Sequence, residues 1–171
     1  PEGGVAIASV SGNLRFAGQP GSSTRTVSDP PLLGLEAGRD GLFVLGAAGL
    51  SRVDAADGEE RWSRSAVTRL ACSSPALVAV EGQGLRWLSA EGEPRALVPL
   101  ALGPQRAIAC LDDGSLVLPD ESGVLLRVDA SGVRGRVQLP PGRLLSLDPA
   151  RGGLVIATYR DGRVLALRPP R

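Results

Sequence analysis

Two cysteines (Cys72 and Cys110), four arginines that each follow a glycine by two or more residues (Arg15, Arg52, Arg86 and Arg127), and one adjacent acid pair (Asp112-Asp113) are the groups whose type and spacing bear on chemistry. The chain contains no His, so a His-based triad, a His-ligated zinc and imidazole acid–base catalysis have no residue to run on. Asp112-Asp113 runs into Gly114, where Asp-Gly turn chemistry accounts for it without a metal. Gly3-Gly4 and Gly152-Gly153 lack the spacing and the following helix of a phosphate loop. No catalytic, cofactor-binding or metal-ligating residue is assigned, and no cofactor is expected.

The cysteines stand 38 residues apart, each directly after an alanine, and in a repeating register their counterparts are Leu35 and Leu147. A position held by Leu in two copies and Cys in two reads as core, where a thiol behaves as a small hydrophobe. The expectation is two reduced, buried thiols, with matching strands lying too far apart for the roughly 4.4 to 6.8 Å Cα separation of a disulfide. That reading favours the cytoplasm over the periplasm. Arg15, Arg52, Arg86 and Arg127 would form a basic arc on one face, suited to carboxylates or phosphates of a partner. The competing and favoured expectation is that each guanidinium reaches from a half-buried strand to a local acid such as Asp54 or Asp129.

The elements that must position these residues recur with a period near 37. Apolar runs begin at Val5, Leu42, Leu77, Leu116 and Leu154, and each is followed by a glycine, at Gly12, Gly49, Gly84, Gly123 and Gly162. A second strand-like run follows each glycine, as in Leu50-Ser51-Arg52-Val53 and Leu125-Leu126-Arg127-Val128. Asp57-Gly58, Glu91-Gly92 and Ser131-Gly132 then turn the chain into a third, more polar run. Preceding the apolar run is a column of large, small, large residues, exemplified by Leu70-Ala71-Cys72 and Ile108-Ala109-Cys110. Small residues at one register suit an innermost strand crowded by its equivalents. Four antiparallel strands per unit at this period are the pattern of a β-propeller. The expected architecture is therefore all-β, one domain over 1–171, with about five four-stranded units at 1–29, 30–66, 67–103, 104–140 and 141–171. Residues 59–74 carry no Gly or Pro and would allow an amphipathic helix, but Pro94, Pro99, Pro104, Pro140 and Pro141 in the equivalent stretches argue for strands there too.

Composition narrows the partners. With 19 basic against 18 acidic residues, no electrostatic footprint points to nucleic acid, and no apolar stretch approaches the roughly 20 residues of a membrane span. Every basic residue is Arg, which reads as the imprint of a GC-rich genome.

Gly49-Leu50-Ser51-Arg52-Val53-Asp54-Ala55-Ala56-Asp57-Gly58-Glu59-Glu60-Arg61-Trp62 resembles the pyrroloquinoline-quinone-type propeller repeat, in which a strand ending near Asp leads through a small-residue-Gly turn to a Trp. Val128-Asp129-Ala130-Ser131-Gly132 repeats the strand and turn without the Trp, as in a degenerate member. The resemblance implies a fold shared by quinone-dependent dehydrogenases, assembly lipoproteins and sensor domains. The calcium and carboxylate cluster of the enzymes has no matching residues to receive it. The expected function is a non-enzymatic scaffold that binds a protein partner, as a sensing or docking part of a longer protein. The alternatives are a portion of a quinoprotein-like enzyme whose active site lies outside this chain, or a structural element of a large assembly. The first unit lacks an inner strand and the last an outer one, so ring closure is expected to need another chain or further sequence.

Overall fold

The computed structural model describes residues 5–8, 11, 13–17, 24–26, 31–38, 41–54, 58–82, 84–102 and 107–170, without side chains at 5–8, 14–17 and 24–26. All of its regular elements are strands, arranged in five antiparallel sheets that follow one another along the chain. Blade 1 holds β1 (Val5–Ala8), β2 (Asn13–Ala17) and β3 (Thr24–Thr26). In blade 2 come β4 (Leu32–Gly38), β5 (Gly41–Gly46), β6 (Gly49–Val53) and β7 (Glu60–Arg64). Blade 3 comprises β8 (Val67–Cys72), β9 (Leu77–Glu81), β10 (Gly84–Leu88) and β11 (Pro94–Pro99). Blade 4 consists of β12 (Ala109–Cys110), β13 (Leu116–Pro119), β14 (Val124–Asp129) and β15 (Gly132–Gln138). Finally, blade 5 has β16 (Leu144–Ala150), β17 (Leu154–Tyr159) and β18 (Val164–Leu167). Blades 2, 3 and 4 have four strands each, and among the described residues blades 1 and 5 show three, matching the missing inner strand expected of the first unit and the missing outer strand expected of the last. The stretch that would allow a helix forms β7 and β8 instead.

The second strands of blades 3 and 4 are apolar on both faces because each lies between two neighbouring blades. Along β9, Leu77 and Ala79 pack with Phe43, Leu45 and Leu50 of blade 2. The alternate residues Val78 and Val80 pack with Leu116, Leu118, Leu126 and Val128 of blade 4. Strand period two thus sends successive side chains into successive seams. Val117 and Leu125 pass the pattern on to Leu144, Leu147, Val155, Ala157 and Tyr159 of blade 5.

Within each sheet the chain runs up and down, so the loops fall on two rims. One rim, called here the near rim, carries the turns joining first to second and third to fourth strands. The far rim carries the remaining two sets.

Candidate functional site

The near-rim turns are held by side chains at fixed spacing. Asp113 Oδ1 accepts from the Ser115 amide at 2.9 Å and from its hydroxyl at 2.6 Å, while Gly114 takes φ 77° in the turn from β12 to β13. This accounts for Asp113 as turn chemistry. Asp129 repeats the device two strands later, accepting from the Ser131 amide at 2.8 Å and hydroxyl at 2.6 Å. Ser89 does so with its hydroxyl, which accepts from the amides of Glu91 and Glu93. Hydrogen bonds from Ser131 and then from Arg134 hold the Asp129 carboxyl at about 2. Asp113 is lowered as well, first by Ser115 and then by Arg127. Both are carboxylates at neutral pH and act as fixed acceptors.

Arg127 sits above this turn. Its Nε donates to Ser115 Oγ at 3.1 Å, and its Nη2 pairs with Asp113 Oδ2. Beside them, between blades 4 and 5, opens a cleft of about 410 Å³ lined by Asp112, Asp113, Arg127, Gly152, Gly153 and Arg168, among others. Arg52 holds the equivalent place in blade 2, since the fourth strand slips by one residue after Arg52 and again after Arg127. Its Nη1 donates to the Ala90 carbonyl of blade 3 at 2.8 Å. The same carbonyl accepts from Trp62 Nε1 at 2.9 Å, and the indole lies against Gly92. A Cβ on Gly92 would stand 2.7 Å from Trp62 Cδ2, so only glycine admits the ring.

Arg86 breaks the expected arc. The corresponding slip in blade 3 falls after Trp87, which makes Trp87 the counterpart of Arg52 and Arg127 and puts Arg86 one residue out of register. One residue along a strand turns a side chain to the other face. Arg86 accordingly points back toward blade 2 and toward the far rim, where its Nε donates to Glu81 Oε2 at 3.0 Å. Arg64 of blade 2 binds the same carboxylate, lowering the Glu81 pKa. The half-buried Arg64–Glu81–Arg86 group therefore ties blade 2 to blade 3. Arg15 lies in β2 opposite Ile7 and Thr24, and its side chain falls outside the described residues. Arg86 and Arg127 do reach local acids, Glu81 and Asp113, while Asp54 pairs with Arg61 at 2.8 Å and Asp129 with Arg134. Trp87 fills the space opposite Ala96, where blade 2 has Trp62 opposite Arg52.

Cys72 and Cys110 are joined in a disulfide, Cα to Cα 5.7 Å, which corrects the expectation of reduced thiols. A bulge in β8 between Leu70 and Cys72 sets Cys72 opposite Val78, on the face turned to blade 4. Cys110 pairs with Leu116 and therefore faces back to blade 3. Placed in one register, as the repeat suggests, both would face the same way and never meet. The one-residue offset makes them face each other, on inner strands that the blade geometry brings close.

Among the described residues no three His, Cys, Asp or Glu side chains gather as a metal site. No helix among them is long and apolar enough to cross a membrane.

Five consecutive antiparallel sheets, of which blades 2 to 5 pack face to face through successive seams, define a β-propeller. No family model and no curated protein matches the sequence. Solved structures do. The WD40 propeller domain of Doa1 superposes with a TM-score of 0.67 at 11% identity over 97% of this chain and 60% of its own. BamB from Moraxella catarrhalis gives 0.70 at 15% identity over 96% and 58%. Virginiamycin B lyase from Staphylococcus aureus gives 0.63 at 14% identity over 98% and 67%. The chain thus spans about three fifths of the first of these propellers. The likeness is one of fold, and since an enzyme stands among these structures, fold alone does not choose the function.

Proposed function

We propose that this chain is a non-enzymatic β-propeller scaffold that docks a protein partner on its near rim, at the cleft between blades 4 and 5. The observation that carries the reading is the pinned charge pair at the cleft mouth. Arg127 is held by Ser115 and Asp113, and the Asp113 turn is itself closed by hydrogen bonds, so the polar groups are ordered before any partner arrives. Preordered polar groups on a rigid scaffold bind with little loss of side-chain entropy. Arg52 and Arg127 belong to this rim; Arg86 contributes to the seam between blades 2 and 3. The 49–62 unit is read as a PQQ-like repeat, supported by Trp62 clasping the turn of the next blade. A disulfide between inner strands supports an oxidising compartment over the cytoplasm.

The test is site-specific photocrosslinking in the native cell, with the probe at Asp112 on the near rim or at Glu121 on the far rim. The expected result is a discrete adduct from Asp112 that Arg168→Glu weakens, and none from Glu121. Adducts from both positions alike, or from neither, would overturn the assignment of the rim.

A further inference from the structure

The outgoing face of blade 5 exposes aliphatic side chains at positions that blades 2, 3 and 4 bury in seams. Counting back three residues from the buried third-strand positions Val53, Leu88 and Val128 reaches Leu50, Leu85 and Leu125, each 0% exposed and each packed into the following seam. The same count from Leu167 in β18 reaches Val164, which is 62% exposed. On the second strand, Phe43, Val78 and Val117 are buried in their seams, and their counterpart in β17 is Ile156, which is only partly buried. Register confirms the side: Val164 pairs with Thr158 and Ala166 with Ile156, while Leu165 and Ala157 between them face blade 4. In addition, β18 pairs only with β17 among the described residues, which leaves its outer edge open. Open edges and apolar sheet faces together invite association, and stable folds cover them.

We propose that Ile156, Val164 and Ala166 form the interface for a further propeller blade contributed by the same polypeptide. The chemistry selects a blade over other occupants. In the seam between blades 2 and 3, for example, outgoing Phe43, Leu45 and Leu50 meet an incoming face of Leu77, Ala79 and Leu88. Blade 5 offers Ile156 and Val164 at the positions of Phe43 and Leu50, with Thr158 in place of Leu45 and Ala166 in place of Arg52. The solved propellers it matches continue beyond the matched region, which covers 58 to 67% of the three chains compared. This surface is separate from the near-rim cleft, and either proposal stands if the other fails.

The natural polypeptide carrying Val164→Cys is treated with a maleimide without reductant and compared with Glu121→Cys, an exposed turn position. Labelling read by peptide mass spectrometry is expected to be at least about tenfold slower at position 164, in a species that light scattering shows to be monomeric. Carbene footprinting of Ile156 and Val164 in the unsubstituted polypeptide supplies the same readout should the variant fail to fold. Equal labelling at the two positions overturns the proposal. So does protection seen only in a species of twice the polypeptide mass, which would make a second copy the occupant.

Discussion

Reduction of the Cys72–Cys110 bond tests the inner-strand geometry most directly, because it changes no side chain except at the link. The bond spans 38 residues, and chain-entropy reasoning assigns a loop of that size roughly 4 kcal/mol of destabilisation of the unfolded state. For a chain of 171 residues, a loss of about 4 kcal/mol corresponds to a fall in Tm on the order of 10 °C. The two sulfurs also close the seam in which Val78, Leu85, Trp87 and Leu116 are buried, so the effect should be largest there. Thermal and urea melts with and without reductant, followed by far-UV circular dichroism and Trp fluorescence, give the magnitude. Mass spectrometry after digestion without reductant should yield a linked Cys72–Cys110 peptide. Coincident melts, or alkylation of both cysteines in the unreduced protein, would refute the opposed-face geometry of β8 and β12.

Three further outcomes are expected. Gly92→Ala should cost roughly 1–3 kcal/mol from its positive φ alone and more from the clash with Trp62, whereas Gly123→Ala, at a similar φ with open space around it, should cost only the first part; equal losses in urea unfolding would dismiss the Trp62 contact. Tyr159→Phe should raise stability by roughly 1–3 kcal/mol, because the tyrosine is 1% exposed and its buried hydroxyl finds no hydrogen-bond partner among the described residues; a destabilised variant would show that the hydroxyl is bonded. The folded Asp129 pKa of about 2 lies below its ordinary 3.8, so its stabilising contribution is full above about pH 4 and is lost as pH falls toward 2. Asp129→Asn should flatten that part of the acid limb in pH-dependent melts, and an unchanged slope would remove the Ser131 and Arg134 bonds from the account.

The seams also decide what was legible beforehand. The period, the order of strands and the turn positions could be read from sequence, because two-sided burial forces apolar runs such as Leu42–Leu45 and tight turns force glycines such as Gly49 and Gly123. The strand character of β7 and β8 was legible by comparison across units, through prolines that no helix interior accepts. Which face each side chain takes was not. Arg86 looks like Arg52 and Arg127 in the string but stands two residues before the buried Leu88, where they directly precede Val53 and Val128, and Cys72 looks like Cys110 but is set on the opposite face by a bulge in its strand. A bulge leaves composition and period untouched while reversing every side chain beyond it, because the side-chain period of a strand is two. The sequence alone therefore determined that the blades form and in what order. Only the tertiary structure decided the rest: a bulge and the approach of inner strands join the two cysteines, and the packing of neighbouring blades gives Arg86 a shared acid across a seam and sets Asp113 and Arg127 at a cleft.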